Sequence, residues 1–386
     1  MKIDRWSLIN GLSYAQDAAE KSYLSHSKHV AYMSMLLAQE LHLSNEQTEE
    51  TIMAALLHDI GSGNLYDMGD HCLKGQKILS ALPIPTAIPE IVLYHHEKYD
   101  GSGPFGLEGE AIPIQSQLIC LADMFDKGFG ATTQVNMDLF KAVNNWLHTL
   151  RDLFGPRVRE AFLQVIQREH VFLTYFGRQL ELYLEWHKGC ENVWLDYEDI
   201  RKFANAFSTI IDNRSPYTHE HSQGIAQLVA HVTEGMGYSE EIQQEMHIAA
   251  LLHDIGKLAI EIEIIDKQGP LNQEERYEIN KHTYYTRWIL EKINGFERIV
   301  EYASNHHEKL NGRGYPYHLE AEAIGELDRI MTVCDIYKAL TEDRPYRDKL
   351  KEEEIWQIIG GMVDRGELDR DLVERMKTLL LGFVLI

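Results

Sequence analysis

The chain has 386 residues, of which 44% are hydrophobic and 25% charged, and a formal net charge of −23 at pH 7. That length leaves room for two or three domains with real apolar cores. So much negative charge disfavours a nucleic-acid polymer or an anionic membrane as a partner, although a small anion still binds where metals and a few Lys or Arg reverse the local sign.

In chain order, the opening segment Met1 to Ser22 contains no signal-peptide core. After His26, the residues Val30, Met33, Leu36 and Leu37 fall on one helical face. An apolar helix then spans Met53 to Ile60 and ends at Gly61. It carries Ala54-Ala55-Leu56-Leu57-His58-Asp59-Ile60-Gly61, followed by His71, the pair His95-His96, and Asp123. Around His187 to Asn192 lies the natural junction, with no Gly/Ser or Pro-rich linker, so packed rather than loosely tethered domains are expected.

Beyond the junction the pattern recurs. His221 opens a helical stretch with Ile225, Leu228, Val229 and Val232 on one face, and Met246 to Ile255 is an apolar helix ending at Gly256. The eight residues Ala249 to Gly256 repeat Ala54 to Gly61 letter for letter. His26 precedes His58 by 32 residues, as His221 precedes His253; His71 precedes His95 by 24, as His282 precedes His306. Asp123 and Asp335 close the two sets. The second copy holds 16 extra residues between its His-Asp pair and third histidine, and one more just after its double histidine. Domain limits of 1–180 and 195–386 follow. Strand patterns are scarce, the alternation Ile260 to Ile264 being short, so the fold class is all-α: two related helical bundles in tandem.

The cysteines Cys72, Cys120, Cys190 and Cys334 form no C-x-x-C pair. Most sit in apolar runs, which suits buried free thiols and a reducing cytoplasm. The apolar tail Leu379 to Ile386 is far too short to span a bilayer. It suits a helix end packed on the protein or at an interface, and leaves a homodimer open.

Histidine and aspartate suit Fe, Mn, Zn or Ni without any cysteine. Five histidines and two aspartates in the second copy, His221, His253, Asp254, His282, His306, His307 and Asp335, exceed one metal's needs. A bridging carboxylate would divide them: His221, His253 and Asp335 on one ion, His282, His306 and His307 on the other, Asp254 on both. Two ions roughly 3.5–4 Å apart clamp a phosphoryl group for in-line attack. His219, His231, His247 and His318 have no partner pattern and read as structural.

The second copy also contains His253-Asp254-Ile255-Gly256-Lys257 and Lys267-Gln268-Gly269-Pro270-Leu271. Further on come His306-His307-Glu308-Lys309-Leu310-Asn311-Gly312-Arg313-Gly314-Tyr315-Pro316, Cys334-Asp335-Ile336-Tyr337-Lys338-Ala339-Leu340-Thr341, and Asp343-Arg344-Pro345-Tyr346-Arg347. In this it resembles the HD-GYP family of the HD phosphohydrolase superfamily, from about Ile211 to the C-terminus. The resemblance implies a cytoplasmic phosphodiesterase of bacterial second-messenger signalling. It would hydrolyse cyclic di-GMP or cyclic GMP-AMP with two divalent transition-metal ions, Fe or Mn foremost, with Zn, Ni and Co also compatible. Three-metal members carry a Glu four residues before the first histidine; Tyr217 stands there, so two metals are implied. Lys257, one turn past the His-Asp pair, is placed to hold a non-bridging phosphate oxygen. Arg313 can pair with phosphate or stack on a base, and Tyr315 can stack. Lys267 completes the substrate-side set; Arg344 to Arg347 reads as structural.

The first copy keeps all seven ligand types, His26, His58, Asp59, His71, His95, His96 and Asp123, and is expected to bind metal. It replaces Lys257 with Ser62, lacks the stretch holding Lys267, and reads Asp100-Gly101-Ser102-Gly103-Pro104-Phe105 where Arg313 and Tyr315 stand. Gln117 replaces Arg329, and Ser22 occupies the third-metal position. Every loss is on the substrate side, which favours a metal-bearing partner with little or no turnover. Other classes stay open: a non-catalytic cyclic-dinucleotide, metal or redox sensor, a general HD nucleotide phosphohydrolase, or a di-iron oxygenase. The Gly-Arg-Gly-Tyr-Pro loop and Lys257 weigh against the last two.

Overall fold

The computed structural model describes the chain except residues 20–24, 63–66, 132–135, 151, 178, 187–191, 213–220, 343–348, 382 and 384–386. Ser22, Tyr217, His219, Cys190, most of the 187–192 junction and the Asp343 to Arg347 run therefore lie outside the described residues. Among the described residues the elements are helices, apart from one short antiparallel pair, Ile3–Asp4 with Trp194–Leu195. The Ile260 to Ile264 alternation forms no strand. Ile262–Ile265 is a single helical turn, too short a run to find a strand partner.

The chain forms two compact units, Gln16–Val193 and Met1–Ala15 with Trp194–Ile386. The opening residues thus cluster with the second bundle rather than the first, as the 1–180 limit had them. Local bonds give the reason: Ile3 pairs with Leu195, Ser7 Oγ accepts from Asn294 N–H at 2.8 Å, and Tyr14 lies edge-on to Trp288 at 4.9 Å.

Each unit contains the same five helices in the same order. In the first they are His26–Glu40, Asn45–Leu57, Met68–Leu79, Ile88–Leu93 and Ile114–Phe129. In the second they are His221–Gly235, Glu240–Leu252, Gln273–Leu290, Glu297–Ser304 and Glu326–Thr341. The 3.6-residue periodicity accounts for the packing. Val30, Met33, Leu36 and Leu37, like Ile225, Leu228, Val229 and Val232, are buried, each contributing roughly 1.5–3 kcal/mol relative to exposure. Side-chain caps start the helices: Ser44 with Gln47, and Asn272 with Glu275, form reciprocal capping boxes.

The His-Asp helices end earlier than their apolar runs suggest. They stop at Leu57 and Leu252, with His58 and His253 as C-caps. In the second unit the chain then tightens into the 3-10 turn Ile255–Ala259. The aspartate is thereby taken off the helix and turned toward the other ligands.

Candidate metal centre

The equivalent helices bring the candidate ligands together from five places in the chain. His26 and His221 are the first residues of their helices, His58-Asp59 and His253-Asp254 lie at the turn, and His71 and His282 sit on the next helix. His95-His96 and His306-His307 follow a short helix, and Asp123 and Asp335 lie within the last.

In the second unit, Asp254 Oδ2 lies 3.2 Å from His253 Nε2. Its Oδ1 lies 3.3 Å from His282 Nε2 and 3.9 Å from His306 Nε2. Asp335 reaches His221 Nε2 at 3.5 Å and His307 Nδ1 at 3.8 Å. The first unit repeats this: Asp59 Oδ2 is 2.9 Å from His58 Nε2 and 3.7 Å from His26 Nε2, and its Oδ1 is 3.4 Å from His71 Nε2 and 3.9 Å from His95 Nε2. Asp123 lies 3.2 Å from His26 Nε2.

Backbone carbonyls orient the rings. Nδ1 of His58, His95, His253, His282 and His306 each donates to the carbonyl of the residue three earlier, at 2.6–2.8 Å. That turns Nε2 toward the cluster, where a neutral ring offers its lone pair to a cation. The inward atoms His26 Nε2, His58 Nε2, Asp59 Oδ2, His253 Nε2 and Asp254 Oδ1 are buried and crowd one another without a well-formed hydrogen bond. So many unsatisfied polar atoms would be costly in an interior. A cation would satisfy them, so the donor sets fit metal ions.

Electrostatics divides each set in two. Burial works against charge on His26, His58 and His221, yet the neighbouring carboxylates prevail and raise them to about 12, about 10 and about 9. Burial, weakly opposed, lowers His282 to about 3 and His96 to about 4, and His95 and His306 fall well below the usual value. Burial also opposes charge on Asp254, but His253 and Lys257 outweigh it and hold the carboxyl well below the usual range.

Of the substrate-side residues, Lys257 joins the set, its Nζ 2.5 Å from Asp254 Oδ2. Tyr315 stands beside His307, ring centroids 4.9 Å apart. Arg313 is exposed in the same loop. Lys267 instead bonds both oxygens of Glu275, the helix-capping carboxylate, at 2.5 and 2.7 Å. The resemblance implies a substrate-side role for Lys267, whereas here the capping carboxylate engages its ammonium. Arg329 is likewise scaffold, bonding the carbonyls of Ile324 and Ala321 and the carboxylate of Asp369. Gln117 repeats one of these bonds, to Ile112 O, so this exchange is not a lost substrate contact.

Several functional supports escaped the sequence reading. A carboxylate orients the first histidine in each unit: Asp126 Oδ2 lies 2.6 Å from His26 Nδ1, and Glu342 Oε2 lies 2.9 Å from His221 Nδ1. Asp17 and Asp212 anchor the next residue, accepting from the N–H and hydroxyl of Ser27 and Ser222. Cys72, read as a plain buried thiol, lies 3.9 Å from His71 Nε2, in one group with His71, His95 and His96. Glu97 and Glu308, directly after the double histidines, clamp the glycine loops. Glu97 accepts from Phe105 and Leu107 N–H, and Glu308 from Tyr317 and Leu319 N–H, all at 2.7–2.9 Å. These matched bonds align Pro104 with Pro316, so the single extra residue of the second copy is Tyr315 itself. Replacing Glu308 with alanine is expected to cost about 2 kcal/mol, since two part-buried N–H groups lose their carboxylate acceptor. Thermal unfolding and protease sensitivity of the 311–319 loop check this; unchanged values in both would reject the clamp.

Residues 23–128 and residues 205–372 each match the HD domain family. The chain is similar to the 3′3′-cGAMP-specific phosphodiesterase 1 of Vibrio cholerae, 28% identical, over 94% of this chain and 89% of that protein. It is also similar to 3′3′-cGAMP-specific phosphodiesterase 3 of the same organism, 30% identical over 72% of this chain and 59% of that protein. The crystal structure of a cyclic GMP-AMP-specific phosphodiesterase in V. cholerae matches with a TM-score of 0.76 at 22% identity, covering 100% of this chain and 99% of that one. At that identity the likeness establishes the all-helical fold. No helix among the described residues is long and apolar enough to cross a membrane.

Proposed function

The chain belongs to the HD-domain family, and from that premise we propose that it hydrolyses a cyclic dinucleotide, cyclic GMP-AMP or cyclic di-GMP, at a binuclear centre in its 195–386 copy. The 1–180 copy binds metal and serves as a partner bundle without useful turnover. The activities named for the relatives support the substrate class. The observation that carries the binuclear reading is Asp254, whose two oxygens face different histidines, Oδ2 toward His253 and Oδ1 toward His282 and His306.

His221, His253 and Asp335 would hold one ion and His282, His306 and His307 the other, with Asp254 between them. Iron or manganese suits these donors, as do zinc, nickel and cobalt. Bound divalent ions supply an activated water and offset charge at the phosphoryl group. The chain's own residues do the rest. Glu342 orients His221 through Nδ1. Lys257, partly exposed and already at the bridging carboxylate, offers its ammonium to a non-bridging phosphate oxygen. Tyr315 presents a ring beside His307 for a base, and exposed Arg313 reaches the second phosphate from the loop.

The test is the anaerobically metal-loaded chain assayed against cyclic di-GMP, cyclic GMP-AMP and cyclic di-AMP, with products resolved by chromatography and metal counted. Two ions bound at the 195–386 ligands with no turnover of any of the three would reject the reading. Lys257→Ala is expected to lower turnover by about 10²–10³, the usual cost of one charge-stabilising group at a phosphoryl site, with metal content intact. Parent rates in that variant would place the lysine outside the reaction.

A further inference from the structure

The first copy has Ser62 where the second has Lys257, yet its ligand set is not without a lysine. Lys127 Nζ lies 2.9 Å from Asp123. It stands four residues after that ligand on the Ile114–Phe129 helix, where the second copy has Ala339. The two copies thus each put one ammonium on one ligand carboxylate, from different elements: Lys257 from the turn after His253-Asp254, Lys127 from the helix bearing Asp123.

Each ammonium lies on a carboxylate of its own set, Lys127 2.9 Å from Asp123 and Lys257 2.5 Å from Asp254. The Lys127 side chain is 53% exposed while Asp123 is 2% exposed, so the ammonium sits at the mouth of a buried donor set, where an incoming anion meets it. Helix geometry allows the exchange: a residue four beyond Asp123 lies on the same face as Asp123.

We propose that the first copy binds a phosphate or phosphodiester anion at its ligand set, with Lys127 in the place that Lys257 holds in the second. The inference rests on the reading that the first copy holds metal. It changes that copy's role from a bundle stripped of substrate contacts to a second anion site, poised to take a nucleotide's phosphate. Ser102 in place of Arg313, and no residue in place of Tyr315, leave such a site with phosphate recognition and less hold on a base.

The experiment uses the full chain carrying Asp254→Ala and Lys257→Ala, which silences the second copy. It is loaded with Mn(II), freed of unbound metal and titrated with inorganic phosphate, read by phosphorus-31 relaxation, with bound Mn counted. Saturable relaxation enhancement is expected. Adding Lys127→Ala should weaken it by at least about tenfold, the loss of one charge-assisted contact, at unchanged Mn content, and Lys127→Arg should retain most of it. Phosphate binding of equal strength in the Lys127→Ala protein, or bound Mn with no saturable phosphate effect, overturns the inference alone. No Mn bound at the first copy overturns the metal reading and the inference with it.

Discussion

Replacing Asp254 with alanine is expected to abolish hydrolysis in the full-length chain, a fall of at least about 10³ in rate. The reason is geometric. Asp254 touches both halves of the ligand set, with His253 on one oxygen and His282 and His306 on the other; Asp335 also reaches both halves, but through one histidine on each, His221 at 3.5 Å and His307 at 3.8 Å. It is also where Lys257 is held. Removing it leaves His253 Nε2, buried and without a hydrogen bond, facing a cavity where an anion had been. The equivalent change in the first unit, Asp59→Ala, should lower metal content by the share of that copy and leave hydrolysis near the parent value. Measured rates and metal content of the two variants separate the roles. A chain that loses activity through Asp59→Ala and keeps it through Asp254→Ala would place the working centre in the other copy.

The residues that determine this centre differ in how openly the sequence shows them. The seven candidate ligands of each set are legible because duplication preserves spacing: 32 residues from His221 to His253 and from His26 to His58 cannot drift without changing the length of the paired helices. The helical faces are legible for a similar reason, since burial imposes the 3.6-residue period. The supports of the ligands are harder to see. Asp126 and Glu342 do the same work on His26 and His221, but one stands three residues after its aspartate ligand and the other seven. A side chain at either offset reaches the same ring, so the two copies solved one problem at different positions and no repeat betrays it. Lys127 and Lys257 differ in the same way. Lys267 is the opposite case: the resemblance implies a substrate contact, while the structure shows its ammonium on the capping carboxylate Glu275. Glu97 and Glu308 stood in the motif in plain view, but only the four loop N–H groups pointing at them reveal a clamp.

Gly256→Ala is expected to cost about 3 kcal/mol of stability, the upper part of the range for overpacking, and to empty the second-copy centre of metal. A Cβ at Gly256 would lie 2.0 Å from His282 O and 2.5 Å from Thr286 N. Both are backbone atoms of the Gln273–Leu290 helix, so no side-chain rotation relieves the clash. Either the helix moves away or the His253-Asp254 turn does. The same helix carries His282, whose Nε2 lies 3.3 Å from Asp254 Oδ1, and Thr286, whose hydroxyl bonds His253 O and Gly256 N–H. Metal–ligand distances tolerate only about 0.2 Å, so a shift large enough to seat a methyl group separates the ligands. The first unit has the same contact, with a Cβ at Gly61 falling 2.1 Å from His71 O and 2.4 Å from Gly75 N. That shared approach explains why a glycine closes both copies of the eight-residue repeat. Gly360→Ala is the control: it sits within the Glu352–Asp364 helix with nothing within 4 Å of an added Cβ, and should stabilise by about 0.5–1 kcal/mol. Thermal unfolding and metal content of the two variants decide the matter. Parent-like values for Gly256→Ala would mean that the turn and the His282 helix can separate without cost, and that their close approach is not what holds Asp254 against His282.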